Sequence, residues 1–227
     1  MRTRIGSGIW SALVVGIAGG CVQEGLVTGP GQGDANIAVP TISAVVSTTD
    51  PTGDASASQG NGLSGEAYQD IVSAEVDAGV GVFEFRMDVA ASVPAAPVLP
   101  PGITVQEWSW NLNTSPALPR GFPFAQGSAA PPEFIITVLW DGSTFSGTLI
   151  DRRPLLSGGA AVSTSVPVEI NGGTIAATVD ADLLDNPSGF AWVARANDWP
   201  HLGSVSVQTL DRAPDGGPAF WLSLIHI

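Results

Sequence analysis

The chain has 227 residues, enough for one well-cored domain with extensions and thin for two. Its 8 basic residues are all arginine and face 21 acidic ones, giving a formal charge of −13 at pH 7 and a pI near 4.2. That balance argues against a nucleic-acid partner, because a polyanion is held by Lys and Arg that displace its counterions, and most of this surface repels it.

Residues 1–20 read as a targeting segment. Arg2 and Arg4 form a positive start, "GIWSALVVGIA" is an apolar stretch of h-region length, and Ala18, Gly19 and Gly20 precede Cys21. A spanning helix needs about 20 apolar residues, so this segment is short for a permanent anchor. Cys21 is the only cysteine, which removes a disulfide within the chain, and no histidine near it offers the base that a thiolate nucleophile wants. The segment resembles the bacterial lipoprotein signal, in which a small residue precedes a cysteine that is diacylated and becomes the mature N-terminus, although Ala18 stands where that family favours Leu. The resemblance implies lipidation at Cys21 and a membrane partner held through the acylated residue. Two acyl chains anchor stably where one does not. It also implies the cell envelope, with the outer membrane favoured in a Gram-negative host, since Val22 and Gln23 lack the aspartate that signals inner-membrane retention in enteric lipoproteins.

Residues 21–67 are crowded with Gly, Ser, Thr, Asp and Pro and hold no aromatic residue, so they are expected to be a flexible tether. Within it, only "NIAVPTISAVVSTT" has the makings of a short strand, and composition favours linker there too.

From Tyr68 to Trp221, short apolar runs separated by Gly, Pro, Asn and Asp predict an all-β domain, a single antiparallel β-sandwich of Ig-like or jelly-roll type with about eight to ten strands. "YQDIVSAEVDAG" and "VGVFEFRMDVAAS" form a hairpin, the second with Val82, Glu84, Arg86 and Asp88 on one face and Phe83, Phe85, Met87 and Val89 on the other. "PAAPVLPPG" is a connection, since proline donates nothing to a ladder. "ITVQEWSWNLNT" then places Trp108, Trp110 and Leu112 opposite Ser109, Asn111 and Asn113, and "PEFIITVLWDG", apolar on both faces, reads as a central strand. Asp141-Gly142 is a hairpin turn returning through "STFSGTLIDRR". "STSVPVEI", the turn "NGG" and "TIAATVDADLL" repeat the pattern, "DADLLDNP" allows one helical turn, and "GFAWVARAND" carries Phe190, Trp192 and Ala194 on one face.

The final residues end abruptly in "WLSLIHI". The codons CTG TCT CTT ATA CAC ATC, which open a widely used transposase sequencing adapter, translate to Leu-Ser-Leu-Ile-His-Ile. Residues 222–227 are therefore read as adapter sequence, the 68–221 domain as truncated at its C-terminus, and His226 as carrying no functional argument.

The strand rhythm, together with Phe190, Trp192, Asp211, Pro214 and Asp215, resembles the DOMON-like β-sandwiches, which include family 9 carbohydrate-binding modules. This implies an extracytoplasmic binding domain for sugar, haem or a protein neighbour. Nothing around Met87 or His201 marks a haem ligand pair.

Trp108, Trp110, Trp140 and Trp192 are in phase with core residues. Trp199, in the loop-like "ARANDWPHLGS" with His201, is the candidate stacking platform, because aromatic faces bind sugars with little entropy to lose. Asp211 and Asp215 are candidate ligands of Ca2+, which takes oxygen donors, as are the aspartates of "VDADLLDNPSG"; otherwise no cofactor is expected. No G-x-S-x-G, H-E-x-x-H or Walker motif occurs, so no enzyme and no catalytic residue is expected. The leading expectation is a lipid-anchored envelope protein whose sandwich binds carbohydrate or an envelope protein. A structural or adhesive Ig-like spacer is the alternative, as is the N-terminal part of an extracytoplasmic hydrolase whose catalytic region is missing. An exposed aromatic strip would favour carbohydrate; two uniformly polar outer faces would favour the spacer.

Overall fold

The computed structural model describes residues 44–55, 65–114, 132–201, 207–215 and 218–222, all within the compact unit Pro40–Ile227. The strands are β1 (Ala44–Thr49), β2 (Ile71–Ala78), β3 (Val82–Val89), β4 (Val105–Asn113), β5 (Phe134–Trp140) and β6 (Phe145–Asp151). They continue as β7 (Val162–Ser165), β8 (Val168–Asn171), β9 (Thr174–Asp180), β10 (Gly189–Trp199), β11 (Gln208–Ala213) and β12 (Ala219–Leu222). Three short 3-10 turns, at Ala67–Gln69, Arg153–Ser157 and Ala181–Leu184, are the helical elements among the described residues; the last is the turn expected from "DADLLDNP". No helix among the described residues is long and apolar enough to cross a membrane.

The strands form two antiparallel sheets, as the sequence predicts. One has the order β1-β2-β3-β9-β8, the other β11-β10-β4-β5-β6-β7, with β12 beside β10 as well. The inward faces share one core. Phe85 of the first sheet lies 6.1 Å, centroid to centroid, from Trp110 of the second, and Phe83 meets Trp221 edge-on at 4.9 Å. Trp108, Trp110 and Trp192 are fully buried and Trp140 nearly so, which makes these rings packing material and not a binding surface. The indole nitrogens of Trp110 and Trp192 have no hydrogen-bond partner among the described residues.

Local chemistry explains the turns. At the β5–β6 hairpin, Asp141 Oδ1 accepts from the backbone N–H groups of Ser143 and Thr144 at 2.8 and 2.9 Å, and Gly142 takes φ +89°, a region costly for a residue with a side chain. The other informative glycine is Gly147 in β6. A Cβ there would lie 2.5 Å from the carbonyl oxygen of Val166 and 2.3 Å from the Val168 side chain, so only glycine lets the chain pass over β6 as it leaves β7. Val166 and Pro167 carry it from the edge of one sheet to the edge of the other, and proline at this corner withholds no ladder donor that a central strand needs.

Three expectations change. The tether does not run unbroken to residue 67, because Ala44–Thr49 pairs with β2 from Ala44↔Ala78 to Thr49↔Ser73. Its β-branched "VVSTT" run suits a strand, and it pairs with a β2 edge that would otherwise be open. Eleven strands among the described residues, not eight to ten, fall between Tyr68 and Leu222, and β1 before them makes twelve. "STSVPVEI" is not one strand but two, in different sheets. The signal segment and Cys21 lie outside the described residues, as do 223–227; Leu222 closes β12.

Candidate functional site

Trp199 is not in a loop, as its proline-flanked surroundings suggested, because β10 stays paired with β4 as far as Trp199↔Val105; the residue ends β10 and is partly exposed. Its backbone oxygen accepts from Thr104 N–H at 2.9 Å, and the Thr104 hydroxyl donates to Pro200 O at 2.8 Å, so the chain leaving β10 is pinned to the chain entering β4. Its indole Nε1 donates to Glu107 Oε2 at 3.1 Å. Glu107 sits on the face of β4 turned away from the core, opposite Asn197 in register, and its Oε1 accepts from Asn197 Nδ2 at 2.8 Å. Glu107 and Asn197 are 6% and 4% exposed. Burial pushes the Glu107 carboxyl above its ordinary range, while hydrogen bonds from Ser109, Asn197 and Trp199 and the charge of Arg195 pull the other way. The result is an indole ring held at both its backbone and its ring nitrogen. His201, two residues on, is exposed.

Behind this end, on the core side, lies a second polar group. Gln69 Nε2 donates to Asp198 Oδ1 at 2.8 Å, and all of Gln69, Gln106 and Asp198 are buried. Burial raises the Asp198 carboxyl, with hydrogen bonds from Gln69 and Gln106 opposing. Sequence reading missed Glu107 and Asn197, since polar residues at strand positions read as a wet face; it also missed Gln69, which lies in the 3-10 turn before β2, and placed Asp198 in a loop where β10 in fact continues.

Asp211 and Asp215 fall into a carboxylate cluster larger than the sequence suggests. Asp50 follows β1, Asp54 lies in the next turn, Asp70 precedes β2, Asp211 is in β11, and Asp215 follows the cis Ala213–Pro214 bond. Asp50, Asp54 and Asp215 form one group and Asp54, Asp70 and Asp211 another, with the oxygens of each group within 4.8 Å of one another. Asp211 accepts from the N–H groups of Ile71 at 2.5 Å and Arg212 at 2.7 Å. Asp70 Oδ2 accepts from Gly53 N–H at 2.7 Å. Burial, then the charges of Asp211, Asp215 and Asp54, push Asp50 up to about 7; burial raises Asp211 to about 6, against its two backbone donors. The signal for two of the three missed members, Asp50 and Asp54, was "DPTGD", residues 50–54, an acidic turn directly after a β-branched run; Asp70 had none. The aspartates of "VDADLLDNPSG" do not join: Asp185 instead pairs with Arg153, which also holds Asp151 at 2.8 Å.

The outward face of the five-stranded sheet carries a groove of about 410 Å³ lined by Glu75, Glu84, Arg86, Asp88 and Glu169 among others. Arg86 pairs there with Glu75 at 3.0 Å and with Glu84. No aromatic side chain among the described residues lines it.

No protein-family model matches the chain, and neither does any curated protein or any solved structure.

Proposed function

We propose that the chain is a lipid-anchored envelope protein whose β-sandwich binds carbohydrate at the Trp199 end, without catalysis. The observation that carries this reading is the fixation of a partly exposed indole by Glu107, itself held by Asn197, at the end of a rigid strand. A sugar ring stacks its C–H face on such a ring, and a platform already held in place loses little entropy on binding. Neutral sugars also escape the repulsion that a net charge of −13 imposes on anions. The resemblance to DOMON-like sandwiches and the lack of hydrolase motifs support binding over turnover. A glycan array and a polysaccharide pull-down with the full chain test it. Retention of a glycan is expected, weakened about tenfold (~1.4 kcal/mol) by Trp199→Ala. An intact fold that retains no glycan, or binding indifferent to Trp199→Ala, sinks the idea. For the anchor, Cys21→Ser is expected to release the protein from membranes and abolish its acyl mass; persistence in the membrane fraction argues otherwise.

A structural spacer is the second reading. It is favoured by the mostly polar groove on the five-stranded sheet, where an aromatic strip would have favoured sugar.

A further inference from the structure

The carboxylate cluster draws on widely separated parts of the chain. The turn after β1 contributes Asp50 and Asp54, the approach to β2 contributes Asp70, and β11 with the turn after it contributes Asp211 and Asp215. Folding so many acids together is unfavourable unless something positive joins them, because burial and like charge both penalise the ionised forms. Acidic clusters on surfaces are common, and this one alone would carry little weight. Asp70 adds a separate observation. It is 4% exposed, one carboxylate oxygen is taken by Gly53 N–H, and the other, Oδ1, is buried with no hydrogen-bond partner among the described residues. A buried carboxylate oxygen without a donor is desolvated with nothing in return, so it calls for an occupant. The carboxyl group bearing it belongs to the group of Asp54 and Asp211. Asp50 repeats the pattern, since its Oδ2 is also buried and unpartnered among the described residues.

We propose that Asp50, Asp54, Asp70, Asp211 and Asp215 form a divalent-cation site of calcium type, which clamps the end of β1 to the start of β2 and to β11. All donors are hard oxygens, the set that suits Ca2+ and Mg2+ and not softer metals. Ligand number separates those two: Mg2+ keeps several waters and is held by one or two carboxylates, whereas Ca2+ takes about six to eight oxygens and accommodates a set of carboxylates such as this one. Asp54 is common to both groups and exposed, so it is the member whose loss weakens binding while disturbing packing least. The site is independent of Trp199 and needs no glycan.

The test uses the full chain stripped with a chelator and then melted or titrated calorimetrically with CaCl2 or MgCl2. Calcium at 100-fold above its Kd is expected to raise the melting temperature by about 5–10 °C, and Mg2+ by much less. Asp54→Asn is expected to weaken Ca2+ at least tenfold while melting normally without metal. Asp182→Asn, an exposed aspartate outside the cluster, is expected to change nothing and so separates a site from diffuse attraction to an acidic surface. Absence of a calcium-dependent shift and of binding heat overturns the proposal. So does equal weakening by both variants. An equal response to Mg2+ overturns the calcium assignment.

Discussion

β3 and β4 alternate apolar and polar residues in the same way, yet their outward faces differ. On β3, Glu84 and Arg86 are about two-fifths exposed at the side chain, at 38% and 42%, and Arg86 gathers Glu84 and Glu75 into surface ion pairs. On β4, Glu107, Ser109 and Asn111 are 6%, 1% and 6% exposed, and the carboxylate of Glu107 is held by neutral donors from Asn197 and Trp199. The contrast teaches that alternation identifies which side chains share a face and says nothing about whether water reaches it. Where water does, charge pairs contribute little. Where it does not, every donor and acceptor must find a partner, and the resulting network can hold a partly exposed ring in place.

The largest expected effect tests what the two strands share. Phe85→Ala on β3 and Trp110→Ala on β4 each remove a ring from one common core, and each is expected to cost about 3–5 kcal/mol in denaturant unfolding. Because the rings are 6.1 Å apart, the double variant is expected to depart from additivity by about 0.5–3 kcal/mol; additive losses would mean that the sheets do not share that contact.

Next in size is Glu107→Ala, which strands the indole N–H of Trp199 and the amide of Asn197. A loss of about 1–3 kcal/mol is expected from the same measurement, with glycan binding falling alongside because the platform is released. No loss would place β4 in the same wet class as β3.

A pH series sharpens the contrast further. Burial raises the Glu107 carboxyl above its ordinary 4.5, so the folded state binds this proton more tightly than the unfolded one. Its stabilising contribution is full below the unfolded value and is lost as pH rises through the folded value. The difference in unfolding free energy between the native protein and Glu107→Gln should therefore shift in favour of Gln as pH increases. A pH-independent difference would show that Glu107 titrates normally. Smallest is Arg86→Ala on the exposed face, expected to cost under about 1 kcal/mol and to be blunted by salt; a loss rivalling that of Glu107→Ala would erase the distinction between the faces.

Much of the sandwich was legible. Period-two alternation is local, so Phe83, Phe85, Met87 and Val89 on β3 and Trp108, Trp110 and Leu112 on β4 could be assigned to the core directly. Asp141-Gly142 likewise marked its hairpin, because a turn is written in its own four residues. β1 was less legible, since a strand at a sheet edge needs little hydrophobic signal and its flanks are composed like a linker. The switch between sheets at Val166–Pro167 was hidden for another reason: strand chemistry is alike on both sides, and the clue is Gly147, which belongs to a different strand. Within the candidate sites, Trp199, Asp211 and Asp215 could be singled out by residue type, but their partners could not.

Sequence alone therefore determined the fold class, the faces of most strands and the strong negative charge, all of which depend on neighbours in the chain or on composition. Tertiary structure decided which face stays dry, that Glu107 holds Trp199, and that five aspartates from three parts of the chain converge. These depend on which strands become neighbours, and alternation looks the same whichever partner a strand finds.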